Sequence, residues 1–233
     1  MKLVGERRAI AAAVFLFYCL LYMLNGYMGD PSMSKFAYAV GGVYGLAFFS
    51  LVAGYFWARW YSIGVGLYGV ILAAVGFISG KLPPGSEGVI MFIGGTHLIA
   101  TLSLWGSAMA GPYDGQTAWR EKFHMDDHAV QRLGRAVIRA GVSLPLVLAY
   151  ALAPRPGTSL VLSLVVVALT GLGLRALVKL KTWGVMALGT AGVLLLVLTF
   201  SGDASIRGAL GGMLLVSSAV PFVAPMARWL AVR

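Results

Sequence analysis

The side chains best suited to acid–base, nucleophilic or metal chemistry are few in this chain: three histidines, one cysteine and eight acids. His97 stands apart from the rest. It lies about ten residues into a long apolar stretch, with Thr96 beside it and Thr101 four residues on, on the same helical face. An ionisable side chain at membrane depth is costly and marks function by default. His97, Thr96 and Thr101 therefore form a candidate ligand or pore site, with an imidazole that answers to protons or touches a solute. Tyr18, Tyr22, Ser217 and Ser218 are polar partners that other helices could offer. The plain alternative is a neutral histidine in a hydrogen bond between helices. No embedded carboxylate accompanies His97 to relay protons.

The other two histidines fall in the longest polar stretch, 111–135, which also carries four of the eight acids. His124 and His128 are four residues apart, so both rings share one helical face, and Asp127 is adjacent. That spacing suits Zn²⁺, as in His-Glu-x-x-His sites, but Met125 stands where the catalytic glutamate would be. A closed site would need further ligands, with Asp127 or Asp114 as the available acids. The alternative is a solvated polar face. Trp119, Phe123, Val130, Leu133 and Val137 recur at helical spacing and predict an amphipathic interfacial helix, capped by Asp114 or Thr117 and running into the next span.

Other chemistries fail on residue type. The run Asp114-Gly115-Gln116-Thr117-Ala118-Trp119-Arg120 departs from the core of the CDP-alcohol phosphotransferases, because Trp119 intrudes before the arginine and the later aspartates are missing. Three histidines are too few for a di-iron hydroxylase. No Gly-x-Ser-x-Gly, P-loop or Cys-x-x-Cys occurs, and Cys19 has no second cysteine to pair with. No cofactor is expected.

These residues must be positioned by membrane helices. The chain has 233 residues, 59% hydrophobic and only 11% charged, with a mean hydropathy of +0.85. A soluble domain has about 25% charged residues. A span needs about 20 apolar residues. Eight segments qualify: Ala9–Leu24, Phe36–Trp57, Ile63–Gly80, Gly88–Ala110, Ala136–Ala153, Ser159–Leu177, Trp183–Phe200 and Gly208–Met226. Turn residues such as Asp30-Pro31 and Pro83-Pro84-Gly85 separate them. The fifth, 136–153, is the weakest, because Arg135 and Arg139 shorten its apolar run. The expected fold is an all-α polytopic bundle of about eight spans in a single transmembrane domain.

With eight spans and the N-terminus inside, 14 of the 18 Lys and Arg fall on the cytoplasmic side and 4 on the other. Both termini are then cytoplasmic. The net charge of +10 is accordingly a topology signal toward anionic lipid, with no nucleic-acid partner implied. Arginine outnumbers lysine two to one and Asn25 is the only asparagine, a bias suggesting a bacterial inner-membrane protein.

The halves 1–111 and 134–233 echo each other across the connecting segment 112–133. Arg59–Val65 and Lys179–Val185 each read as a cationic turn, a hydroxyl residue and a Gly-Val helix start. A parallel four-plus-four duplication is one reading, and chance likeness of two apolar hairpins is the other. Small-residue pairs, Gly41 with Gly45, Gly106 with Ala110 and Gly208 with Gly212, suit either a homodimer face or packing inside the bundle.

Three function classes follow. One is a facilitator-type transporter or channel for a small, apolar or lipid-like solute. The second is a non-catalytic anchor or assembly subunit that meets a protein partner through 112–133. The third is an interfacial enzyme using His124, Asp127 and His128, together with Asp126.

Overall fold

The computed structural model describes residues 2–79, 84–122, 126–153, 157–181, 183–201 and 205–231. Helix makes up 87% of it, and no strand occurs among the described residues. The helices are α1 (Lys2–Met28), α2 (Ser34–Ala53), α3 (Ala58–Ser79), α4 (Glu87–Leu104), α5 (Ser107–Ala110), α6 (Thr117–Lys122), α7 (Asp127–Ala151), α8 (Gly157–Val178), α9 (Trp183–Ser201) and α10 (Ile206–Ala231). All but α5 and α6 are long and apolar enough to cross a membrane, so eight helices have the length and composition of a multi-pass membrane protein. With lipid as solvent, every backbone group must be satisfied internally, and helices do this within one segment.

The chain divides into two compact units, Met1–Gln116 and Thr117–Arg233. In the first, α1 packs on α2 and α4, and α3 packs on α4 and α2. The four helices close a ring. In the second, α10 packs on α9 and α7, and α8 packs on α9 and α7, closing another.

The helix ends depart from the expected spans for identifiable reasons. The second span stops at Ala53 rather than Trp57. Gly54 takes a left-handed conformation (φ 74°), Tyr55 N–H donates to the Ser50 carbonyl, and Gly54 N–H donates to that of Leu51. The chain then turns, and Arg59 to Ser62 lie inside α3, not in the cytoplasmic turn expected of them. The fourth span ends at Leu104, where Trp105 is extended, and α5 is separate.

The largest correction concerns the fifth span and the stretch before it. No continuous interfacial helix forms. Instead α6 covers Thr117–Lys122, and α7 begins at Asp127, nine residues before the expected Ala136. Its start is set by Asp126, whose carboxylate accepts the Ala129 N–H at 2.6 Å. Of the expected apolar stripe, Trp119, Val130, Leu133 and Val137 are buried, and Phe123 lies outside the described residues. The span with the least convincing apolar run has 67% of its most apolar window buried, more than any other of the eight.

Two of the three small-residue pairs pack inside their own units, whereas Gly106 lies before α5 at a positive φ with nothing within 4 Å of a Cβ there. Gly41 faces Met23, Gly45 faces Cys19, Gly208 faces Tyr150 and Thr199, and Gly212 faces Leu196. These glycines let side chains of neighbouring helices seat against bare backbone, which is the packing that holds helices together in lipid.

Candidate functional site

The first unit places His97 on α4 at the floor of a cavity of about 440 Å³, within the roughly 300–1,000 Å³ of small-molecule sites. Its upper wall is apolar, formed by Leu21, Leu24 and Met28 of α1, Leu72 of α3 and Ile93 of α4. Tyr18, Tyr22 and Asn25 of α1, with Tyr44 of α2, supply the polar atoms. The cavity runs from His97 to the last turn of α1 at Asn25 and Met28, and reaches Gly29 just past it.

The floor is a hydrogen-bonded cluster whose proton positions can be reasoned out. His97 Nδ1 lies 2.8 Å from the Ile93 carbonyl oxygen, which only accepts, so Nδ1 carries the proton. Nε2 of the neutral ring is then an acceptor, and the Tyr44 hydroxyl donates to it at 2.7 Å. The Thr96 hydroxyl donates to the Phe92 carbonyl at 2.7 Å, so it accepts from the Tyr18 hydroxyl, also at 2.7 Å. The rings pack tightly. Tyr18 lies 4.2 Å from His97 and 5.3 Å from Tyr44, and Tyr22 stacks on Tyr44 at 5.6 Å. Tyr18, Tyr44 and His97 are each at most 2% exposed.

Gly69 makes this arrangement possible. A Cβ on Gly69 would fall on the His97 ring, so α3 can approach α4 here only without a side chain. Of the three residues expected at the site, His97 lines the cavity and Thr96 stands behind Tyr18. Thr101 faces Gly66, and its hydroxyl is buried without a hydrogen-bond partner among the described residues. Tyr18 and Tyr22 come to His97 as partners. Ser217 and Ser218 instead donate to carbonyls of their own helix, those of Leu214 and Leu215. Tyr44 is not among the partners the sequence offers for His97; its register on α2, 53 residues before His97, gives no local sign of the contact.

A second cluster lies at the opposite end of the same unit. Arg59 Nη1 straddles both carboxylate oxygens of Asp114 at 3.0 and 2.9 Å, and its Nε donates to the Leu104 carbonyl at 2.9 Å. Arg7 Nε donates to the Ser103 carbonyl at 2.9 Å, and Arg7 also bonds the Leu102 and Trp105 carbonyls. Arg8 bonds the Val52 carbonyl and lies over the Tyr113 ring. Three arginines thus cap the carbonyl ends of α2 and α4, where the helix dipole favours cations. Burial pushes the Asp114 carboxyl above its ordinary range, and the Arg59 charge offsets part of that rise. Asp114 is therefore the counter-charge of Arg59 rather than a helix cap.

The metal candidates are described only in part. His124 lies outside the described residues. Asp127 pairs with Arg120, and His128 is exposed. Among the described residues no group of three or more His, Cys, Asp or Glu is placed to hold a metal ion. Compared with protein-family models, curated proteins and solved structures, the chain matches none.

Proposed function

We propose that the protein is a facilitator-type membrane transporter for a small amphiphilic or lipid-like solute, bound in the first unit above His97. The cavity carries this reading: its walls are apolar, its floor is neutral and hydrogen-bonded, and its volume suits one small molecule. No acid or lysine lines it, which argues against ion-coupled pumping and for passive carriage. Both termini face the cytoplasm of a bacterial inner membrane, and the cavity then reaches toward the opposite face. The four-plus-four duplication rests on two likenesses. Each unit closes its first helix on its fourth, and each ends its second on a left-handed residue, Gly54 or Leu180.

Proteoliposomes test the reading with two probes. One is a fluorescent short-chain lipid analogue, followed by an impermeant quencher. The other is glycerol, followed by osmotic swelling. The intact protein should accelerate at least one, and His97→Ala should slow that flux several-fold while the protein stays monodisperse. Rates equal to those of empty liposomes for both probes would sink transport.

The exposed charges of Glu121, Lys122, Asp126 and Asp127 favour a second reading, an assembly subunit docking a protein partner through this segment. Deleting 116–131 should then release a partner that gentle detergent otherwise retains.

A further inference from the structure

We infer that the cavity's occupant is an uncharged amphiphile with a hydroxyl group, a hydrogen-bond donor, at its polar end. This inference rests on the cavity being a solute site, as proposed above. It follows from where the protons of the floor are spent. His97 gives its Nδ1 proton to Ile93, Tyr44 gives its hydroxyl proton to His97, and Tyr18 gives its own to Thr96. Thr96 in turn gives its proton to Phe92. These four donors point into the protein, and what Tyr18 and Tyr44 keep is oxygen lone pairs.

The charge of the occupant follows from the lining. His97 is the one titratable nitrogen there and both its nitrogens are engaged; no carboxylate, lysine or arginine faces the cavity. An ion would lose its hydration without a counter-charge, which is prohibitive at membrane depth. A neutral head that only accepts, such as an ether or ester, would meet lone pair against lone pair at the floor. A hydroxyl supplies the missing proton. Leu21, Leu24, Met28 and Leu72 would cover an aliphatic tail. Tyr22, stacked on Tyr44, and Asn25 can donate as well as accept, so the donor demand belongs to the Tyr18 and Tyr44 oxygens alone.

The experiment uses the full-length protein in lipid nanodiscs and two photoreactive probes, a diazirine-bearing dodecanol and its methyl ether. After irradiation, labelled peptides are mapped by mass spectrometry and normalised to labelling of the exposed faces of α8 and α9. The alcohol should label 18–29 or the Leu72 region several-fold more than the ether does, and unlabelled dodecanol should compete. His97→Phe keeps a ring on Gly69 but leaves the Tyr44 proton without its acceptor. In that variant the preference for the alcohol should fall toward parity while labelling persists, an outcome a merely structural role for His97 would not give. Equal labelling of the cavity by both probes in the unmodified protein would overturn the donor requirement and leave the solute site standing. Labelling of the cavity by neither would overturn both.

Discussion

Arg139 shows how a charge inside a span is used without being a transport residue. It is part-buried on α7, and its Nη1 donates to the Ser217 carbonyl of α10 at 2.5 Å. In a continuous helix that carbonyl would accept the N–H of residue 221, but residue 221 is proline and has none. Arg139 thus supplies the donor that Pro221 removes, and a part-buried carbonyl is spared a penalty that water would relieve elsewhere. Each residue explains the other, so their energies should couple. Arg139→Leu is expected to cost about 1–2 kcal/mol, the range for such bonds in membranes. In a Pro221→Ala background, where the helix closes its own bond, the same substitution should cost markedly less. A double-mutant cycle on unfolding in mixed micelles measures this, and strictly additive effects would show that the two sites are independent. His97 follows similar logic. Its value as a candidate lay in its depth, which the sequence displays. Its tautomer depends on Ile93 and Tyr44, which only the fold brings to it.

At the scale of elements, apolar runs were readable and helix ends were not, because ends are decided by single backbone contacts. The α8 to α9 connection illustrates this. Lys181 N–H donates to the Ala176 carbonyl and Leu180 N–H to that of Leu177, the same double bond that closes α2 at Gly54. Here the left-handed position is held by Leu180, with φ at 58°. An L side chain pays about 1–2 kcal/mol for that conformation, whereas glycine does not. Leu180→Gly should therefore raise stability by up to about 1 kcal/mol, the strain relieved less the added freedom of glycine in the unfolded chain. Thermal unfolding in detergent checks it, and a lower midpoint would mean that the Leu180 side chain contributes packing worth more than the strain. The start of the fifth span, α7, is hidden from the sequence for a related reason. Its polar first turns resemble an interfacial segment, and only the Asp126 cap and the burial of Val130 and Leu133 reveal one continuous element from Asp127.

For the molecule as a whole, eight spans were legible because lipid demands long apolar helices, while the pairing of helices into two four-membered rings was not, since shape complementarity leaves no periodic mark. The sidedness of the spans is the claim that composition carries furthest. An even number of crossings would put both termini on one side, and the fourteen-to-four partition of cations is what supports the proposal that this side is the cytoplasm. The structure adds a use for three of those cations. Arg7, Arg8 and Arg59 bind helix-end carbonyls at one end of the first unit, so part of the charge excess also serves capping. The sidedness therefore needs its own measurement. Cys19 is the sole cysteine, so Cys19→Ala gives a thiol-free background. Single cysteines at Ser32 and Pro84, both exposed beside helix ends, should react with an impermeant maleimide in intact spheroplasts. Cysteines at Glu121 and Lys181, equally exposed, should react only after lysis. The opposite pattern would invert the protein and turn the mouth of the cavity toward the cytoplasm. Labelling of Glu121→Cys without Lys181→Cys would mean that the pair α7 and α8 does not cross as two spans, and the capping arginines rather than the bilayer would then explain the charge bias.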